Sequence, residues 1–229
     1  MAHALAEPAP RSRKWADLRL RVLSAAVLAP LALLCIWFGG WLWVGLVAVG
    51  AIGLAQEWLT LCRGRGPGWK LAGIVYVLPA CAALLWLRAD VVQGRADVFF
   101  LLLVVWATDI GAYVVGRLVG GAKLAPSISP GKTRSGAVGG LAWAALVGVA
   151  AAVWSASPVL AAVIVALVLS VVSEAGDLLE SAMKRHFGVK DSGKTIPGHG
   201  GLFDRLDGVL TAAPVAAAFV LARGGAIWQ

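Results

Sequence analysis

Apolar residues occur along this chain in long runs, and short stretches rich in glycine, proline and charged residues separate them. The runs approach the length of about 20 residues that an α-helix needs to cross the hydrocarbon core of a bilayer. They predict seven membrane-spanning helices, at about 22–38, 41–61, 70–87, 98–118, 136–155, 158–180 and 206–222. The predicted fold class is therefore all-α, a polytopic integral membrane protein in which residues 22–229 form a single membrane-embedded domain.

The positions of lysine and arginine predict how these helices are oriented. If the N-terminus is cytoplasmic, residues 1–21 form a basic cytoplasmic segment, and 17 of the 20 lysines and arginines lie on the cytoplasmic side. The other three, Arg88, Arg95 and Arg223, lie on the far side. Because cytoplasmic loops of membrane proteins are enriched in these cations, the split predicts a cytoplasmic N-terminus and an odd number of spans.

Composition narrows the class of protein further. Apolar residues make up 60% of the chain and charged residues 14%, which excludes a soluble domain. The net charge of +8 does not indicate nucleic acid as a partner, because membrane proteins collect basic residues in their loops and no basic module interleaved with aromatic residues is visible. Cys35, Cys62 and Cys81 are odd in number and lack metal-binding spacing, so they imply neither disulfides nor zinc.

Carboxylates inside the predicted spans need an explanation. The predicted register places every membrane-embedded acid in the cytoplasmic half. An ionised carboxylate at the bilayer centre costs about 2.5–3.5 kcal/mol, and the cost falls toward the interface. Contacts between helices or with lipid headgroups are the alternative explanation for Glu57 and Glu180, whereas Asp109 and Asp177 favour a functional role.

The polar stretch between the sixth and seventh spans, residues 181–207, carries the densest group of candidate functional residues. Asp204 and Asp207 are three residues apart and share one helix face. If the start of the seventh span packs beside the end of the sixth, both meet Asp177, and three carboxylates suit Mg²⁺, as one ion or two. The cationic and imidazole side chains of the stretch that suit phosphate are Lys184, Arg185, Lys190, Lys194, His199 and Arg205. The alternative is an ordinary basic cytoplasmic loop.

Residues 188–195 match the phosphate-binding loop pattern GxxxxGK[ST]. That loop requires a strand before it and a helix after it, so that the helix start cradles the phosphates. Here a membrane helix precedes the match, and residues 196–201, rich in glycine and proline, follow it. The match therefore predicts a flexible cationic loop rather than a nucleotide hydrolase of that class.

A second group of candidate residues covers about 106–140. Its glycines permit close approach of helices; they are Gly111, Gly116, Gly120 and Gly121. Residues 129–133, with Ser129, Lys132 and Thr133, predict a rigid cytoplasmic turn that offers hydroxyls and a cation. Taken alone, this segment is an ordinary connection between helices.

Residues 181–207 resemble the signature of the CDP-diacylglycerol synthases (phosphatidate cytidylyltransferases), which reads S-x-x-K-R, four residues, K-D, and then I-P-x-H-G-G-x-x-D-R-x-D. Every fixed position from Ser181 to Asp207 is present. Residues 109–113 and 129–133 also resemble family segments, so the similarity covers about 100–210, the expected catalytic region. One departure is Ser135, where the family usually has glutamate.

The resemblance implies that CTP and phosphatidate react to give CDP-diacylglycerol and pyrophosphate, a step of phospholipid synthesis. We hypothesise catalytic roles in this reaction for Asp177, Asp204, Asp207, Lys184 and His199, with the three aspartates as Mg²⁺ ligands. The residues expected to bind substrate are Arg185, Lys190, Arg205, Lys132, Ser129 and Asp109. The expected partners are CTP, phosphatidate and the membrane. The sequence leaves open whether the chain forms a homodimer. The expected location is a bacterial inner membrane, with the active site facing the cytoplasm.

Other functions remain as alternatives to this reaction. A CTP-dependent lipid-alcohol kinase would transfer the γ-phosphate instead of the cytidylyl group. A cation or proton transporter, a different class, would use Asp109 and Asp177 as a relay, but it predicts acids across the membrane depth and inverted repeats, and neither is visible. A CDP-alcohol phosphotransferase is disfavoured because its D-x-x-D-G-x-x-A-R pattern is absent.

Overall fold

The computed structural model describes residues 11–193, 195, 196, 198 and 200–228, with side chains from Val22 onward. Within this part the chain is almost entirely helical, which confirms the all-α class. The helices are α1 (Arg11–Phe38), α2 (Gly40–Leu61), α3 (Pro67–Ala89), α4 (Gly94–Val119), α5 (Arg134–Ser155), α6 (Val159–His186) and α7 (Phe203–Arg223). Two short strands, β1 (Lys123–Ala125) and β2 (Ser129–Thr133), lie between α4 and α5.

Six of the helices described, α2 to α7, are long and apolar enough to cross a membrane. The first predicted span corresponds to a shorter apolar segment, Val22–Phe38, at the end of α1. Large apolar side chains such as Trp41, Leu118 and Trp154 are exposed on the outer surface, where lipid would cover them. The chain is therefore an integral membrane protein.

Among α2 to α7, the largest difference from the predicted boundaries is at the end of α6. This helix was expected to end near residue 180 but continues to His186, so that Lys184 and Arg185 lie on its last turn. Cations at that position are favoured by the negative end of the helix dipole. Lys184 therefore lies on the same helix as Asp177 and Glu180, as their i, i+3, i+7 spacing predicts, and Arg185 extends from that helix too.

The connection between α4 and α5 is a β-hairpin, where the sequence predicts only a turn. Its strands are antiparallel, with Lys123 opposite Thr133 and Ala125 opposite Ser129. Gly120 and Gly121 precede it with φ angles of +66° and +101°, and nothing lies near a Cβ at either position. Their predicted role in close helix contact was therefore wrong, because they end α4 and turn the chain into the hairpin.

Gly111 and Gly116 confirm the prediction of close helix packing. A Cβ at Gly111 would lie 2.7 Å from the carbonyl oxygen of Gly139 on α5. A Cβ at Gly116 would lie 2.9 Å from Oγ1 of Thr133. Helices α4 and α5 consequently pack with their backbones close together, as in small-residue contacts between membrane helices.

Helices α6 and α7 approach each other in the same way. A Cβ at Gly176 on α6 would overlap Oγ1 of Thr211, and a Cβ at Gly208 on α7 would overlap Oγ of Ser173. Each glycine is the direct neighbour in sequence of an aspartate, Asp177 or Asp207. The closest contact of the two helices therefore lies at the level of these carboxylates.

Asp97 is a buried acid just before the predicted fourth span. It occupies the first turn of α4, at the end of that helix farthest from Asp109, and is 2% exposed. Its Oδ1 accepts a hydrogen bond of 2.9 Å from the backbone N–H of Ile227. The carboxylate therefore fastens the C-terminal residues to the start of α4.

Substitution of Gly176 tests the α6–α7 contact. We expect Gly176→Ala to destabilise the protein by about 1–3 kcal/mol, because the added methyl group overpacks the interface. Thermal unfolding in detergent micelles measures the effect. Gly45→Ala on α2 is the matched control, since nothing lies within 4 Å of a Cβ there. Equal unfolding temperatures for the two variants would contradict the packing argument.

Candidate active site

Three carboxylates meet where α6 packs against α7. Asp177 and Glu180 lie one turn apart on α6, and Asp207 faces them from the first two turns of α7. Ligand oxygens of the three residues lie within 4.8 Å of one another, and Glu180 is 2% exposed. This group, called the acid cluster below, has the spacing and the oxygen ligands that suit a divalent cation.

Asp204 lies outside the acid cluster, although the sequence placed it with Asp177 and Asp207. Its Oδ1 is 2.6 Å from Nζ of Lys184. Its Oδ2 accepts hydrogen bonds from the backbone N–H of Ser192 at 3.0 Å, from Oγ of Ser192 at 3.0 Å and from the N–H of Gly201 at 2.9 Å. Oδ1 of Asp204 is thus paired with Lys184 on α6 and Oδ2 holds the loop before α7, so that Glu180 takes the predicted third position in the cluster.

Lys184 connects Asp204 to the acid cluster. Its Nζ lies 2.6 Å from Oε2 of Glu180 as well as 2.6 Å from Oδ1 of Asp204. One ammonium group between two carboxylates offsets part of their repulsion. The sequence predicts Lys184 to be a phosphate-binding cation, and the structure places it beside the cluster with its charge shared between two acids.

The β-hairpin brings a second cation to the acid cluster. Nζ of Lys132 on β2 lies 2.6 Å from Oδ2 of Asp177. Nε of Arg185 donates a hydrogen bond of 3.3 Å to the carbonyl oxygen of Ile128 and so ties the tip of the hairpin to α6. Ser129 begins β2 at this tip. The hairpin is therefore the element that positions Lys132.

Ser135, where the family usually has glutamate, lies at the base of the hairpin. Its Oγ donates a hydrogen bond to the carbonyl oxygen of Gly120. Oγ of Ser135 also lies 3.0 Å from Oγ1 of Thr133. Oγ1 of Thr133 in turn accepts a hydrogen bond from the N–H of Gly136 and caps α5. In this chain the serine joins the end of α4 to the start of α5.

A cavity of about 510 Å³ opens beside the acid cluster, between α4, α5, α6 and the hairpin. Asp109, predicted to bind substrate, lines it from α4. The charged residues of its wall are Asp109, Arg117, Lys132, Glu174 and Asp177. Asp177 therefore belongs both to the acid cluster and to the wall of a polar cavity, where a phosphate-bearing ligand would reach the carboxylates.

Buried oxygens without hydrogen bonds concentrate at this place. Within the described part of the chain they are Oη of Tyr76, Oγ of Ser173, Oε1 of Glu174 and both carboxylate oxygens of Glu180. Oε2 of Glu180 meets Lys184 as an ion pair but outside hydrogen-bond geometry. Buried polar atoms in proteins are almost always hydrogen-bonded, so their concentration here fits a site for a cation and its oxygen-bearing ligands.

Glu57 fixes the loop before α7 from the opposite side. This α2 residue is 4% exposed. Oε1 accepts from the N–H of Leu202 at 2.7 Å and from Oγ1 of Thr195, and Oε2 accepts from the N–H of Phe203 at 3.0 Å and from Oγ of Ser192 at 3.1 Å. The carboxylate thus satisfies N–H groups at the start of α7, where negative charge is favourable.

The remaining predicted site residues lie around this centre. Lys190, in the loop after α6, and Arg205, in the first turn of α7, are exposed. His199 lies outside the described residues. The spacing of Asp177 and Glu180 was a signal for a shared helix face, whereas no local signal predicts that Glu57 and Tyr76, on other helices, reach the same region.

Together, the membrane-crossing helices and the acid cluster beside basic side chains define a polytopic membrane protein with a group of carboxylates that could hold a cation. The sequence model of the cytidylyltransferase family matches residues 68–222. The chain belongs to the cytidylyltransferase family, which confirms the resemblance seen in residues 181–207.

Relatives of this chain carry the name phosphatidate cytidylyltransferase. The Brucella suis protein is 47% identical over 177 residues, covering 76% of this chain and 64% of the relative. The Rickettsia felis protein is 35% identical over 208 residues, covering 87% and 90%. The Staphylococcus saprophyticus protein is 45% identical over 125 residues, covering 54% and 48%. The chain thus spans less than two thirds of the length of the Brucella relative.

Substitution of Glu57 tests how the loop before α7 is held. We expect Glu57→Gln to lower the free energy of unfolding by about 1.5–3 kcal/mol, because hydrogen bonds to a charged group are lost or weakened. The loop should also open, so that trypsin cleaves faster after the exposed Lys190. Limited proteolysis followed by mass spectrometry measures this rate.

Thr60→Ala is the control on the same helix, because the exposed Thr60 hydroxyl bonds only within α2, to the carbonyl oxygen of Gln56. It should leave the cleavage rate unchanged. A Glu57→Gln protein with the parent's cleavage rate would contradict the role given to Glu57.

Proposed function

We propose that this chain transfers the cytidylyl group of CTP to phosphatidate, giving CDP-diacylglycerol and pyrophosphate. Family membership and the names of the relatives support this reaction. The observation that carries the proposal at the level of residues is the acid cluster with Lys132 and Lys184 against it. Such a site suits two polyanionic substrates that repel each other until their charge is neutralised.

The chemistry requires positioning and neutralisation more than proton transfer. A phosphate oxygen of phosphatidate attacks the α-phosphorus of CTP, and the bond from that phosphorus to the bridging oxygen of the β-phosphate breaks. Pyrophosphate leaves with the bonding electron pair. The attacking oxygen is already ionised at neutral pH, so no strong base is needed, and the enzyme contributes alignment and charge stabilisation.

We propose Mg²⁺ as the cation, held by Asp177, Glu180 and Asp207. The fit rests on three carboxylates with oxygens within 4.8 Å and on the two buried oxygens of Glu180, which make no hydrogen bond. When bound, the ion would neutralise phosphate charge and orient the phosphate groups. Mg²⁺ usually takes one or two carboxylates, so three acids leave room for a second ion. Asp204 would act through Lys184, which it holds in place.

The basic residues would divide the phosphate contacts among them. Lys132 and Lys184 are the nearest to the acid cluster, and each now shares its charge with carboxylates. A cation bound to those carboxylates would leave the two ammonium groups available to substrate phosphates. The outer contacts we propose are Arg185, Lys190, Arg205 and His199, with Ser129 and Asp109 on the cavity side.

The membrane setting follows from the same reaction. The lipid would reach the cavity sideways, between helices, with its acyl chains in the bilayer. We propose a bacterial inner membrane with the site facing the cytoplasm, where CTP is made. The bacterial sources of the relatives support the choice of membrane. The distribution of lysine and arginine supports the orientation. A homodimer stays a prediction.

The decisive experiment follows the label from CTP. Purified protein is incubated with phosphatidate, Mg²⁺ and CTP labelled at the α-phosphate or, separately, at the γ-phosphate. Cytidylyl transfer puts the α-label into lipid and the γ-label into pyrophosphate. A lipid-alcohol kinase would instead put the γ-label into lipid when given a lipid alcohol. Ion uptake by proteoliposomes without CTP would favour a transporter.

Neutralising the acid cluster should stop the reaction without unfolding the protein. We expect Asp207→Asn and Glu180→Gln each to lower kcat/KM more than about 100-fold, since losses outside the direct metal ligands already cost about 10–100-fold. Initial rates of CDP-diacylglycerol formation measure this, and the unfolding temperature checks the fold.

Asp97→Asn is the matched control, because Asp97 is another buried carboxylate and lies at the far end of α4. It should retain transfer activity. Comparable losses in all three variants would show that the acid cluster has no special role.

A further inference from the structure

Tyr76 is a residue of α3 whose ring packs against the start of α7, one turn from Asp207 of the acid cluster. It lies in the third turn of α3, which packs against α7. Its ring stacks on Phe203, with ring centroids 6.0 Å apart and planes inclined by 13°. Phe203 begins α7, and Asp207 follows one turn later on the same helix face. The acidic side chains near the phenol are those of the acid cluster, Asp177, Glu180 and Asp207.

The Tyr76 hydroxyl has no hydrogen-bond partner among the described residues, although its oxygen is buried. It does not donate to any of the three carboxylates near it. Leaving a buried hydroxyl unpaired costs free energy, and phenylalanine would fill the same space without that cost. Packing against Phe203 therefore explains the ring of Tyr76 but not its oxygen.

The chemistry of the group narrows what this hydroxyl can bind. A neutral phenol is a single donor, and it is a weak choice of cation ligand beside three carboxylates. An anion carried to the acid cluster by a bound cation would bring acceptor oxygens within its reach. Phosphate oxygens of a di- or triphosphate chain are the acceptors that fit a site of this charge.

We propose that the Tyr76 hydroxyl donates a hydrogen bond to an oxygen of the polyphosphate chain held at the acid cluster. Tyr76 would then be a substrate-contacting residue of α3, so that a helix outside the 181–207 stretch takes part in binding the nucleotide. This inference rests on the proposed function for the identity of the nucleotide. The hydrogen bond itself requires only a cation-bound polyphosphate.

Tyr76→Phe tests the proposal with three probes. The first is Mg²⁺ alone, the second is Mg²⁺ with pyrophosphate, and the third is the full reaction with CTP and phosphatidate. We expect an unfolding temperature equal to or above that of the parent without ligand, because an unpaired hydroxyl is removed. The stabilisation by Mg²⁺ alone should be unchanged, the added stabilisation by pyrophosphate should fall, and kcat/KM should fall about tenfold or more.

Thr108→Val is the matched control for the loss of a buried hydroxyl. Oγ1 of Thr108 is fully paired, because it donates toward the carbonyl oxygen of Val104 and lies 2.8 Å from Oγ of Ser170. This variant should unfold at a lower temperature than the parent, and its response to Mg²⁺ and pyrophosphate should match the parent's.

Two results would overturn the proposal. A Tyr76→Phe protein with the parent's pyrophosphate response and kcat/KM would show that the hydroxyl contacts no phosphate. If Tyr76→Phe weakened the stabilisation by Mg²⁺ alone and this loss accounted for the loss of activity, Tyr76 would only orient a carboxylate. If the parent responds to pyrophosphate but forms no CDP-diacylglycerol, the proposed function fails while the hydrogen bond is still tested by the first two probes.

Discussion

The close contact of α6 and α7 at Gly176 and Gly208 is the constraint on which the rest of the site depends. It places carboxylates from two helices within a few ångströms of each other in a protein that crosses a membrane. Like charges at that distance repel, so the arrangement requires cations around it. Lys184 meets the acid cluster from α6 and Lys132 meets it from the hairpin, so these two elements supply the compensating charges.

A chain of polar contacts extends from this centre across the fold. Glu57 and Asp204 share Ser192 as a donor, and Asp204 shares Lys184 with Glu180. The loop before α7 is thereby held between α2 and α6. Residues far apart in sequence thus set the position of the first turn of α7 and, with it, of Asp207.

The sequence predicts the helices well because apolar runs of membrane length are a strong signal, and the shared face of Asp177 and Glu180 follows from helix geometry alone. It does not predict which of Asp204 and Glu180 completes the acid cluster, because both lie near the α6–α7 contact and only the direction of each side chain separates them. The loop contacts of Glu57 and the approach of Tyr76 depend on how α2 and α3 pack. No local pattern of residues records that packing.

The attachment of the hairpin to α6 has a consequence for how the site fills. Both ties are polar and partly exposed to solvent, one from Lys132 to Asp177 and one from Arg185 to the backbone of Ile128. Dissolved ions weaken such ties, and an arriving anion competes with Asp177 for the same ammonium group. A ligand that draws Lys132 away from Asp177 would therefore remove one of the two ties that hold the hairpin to α6.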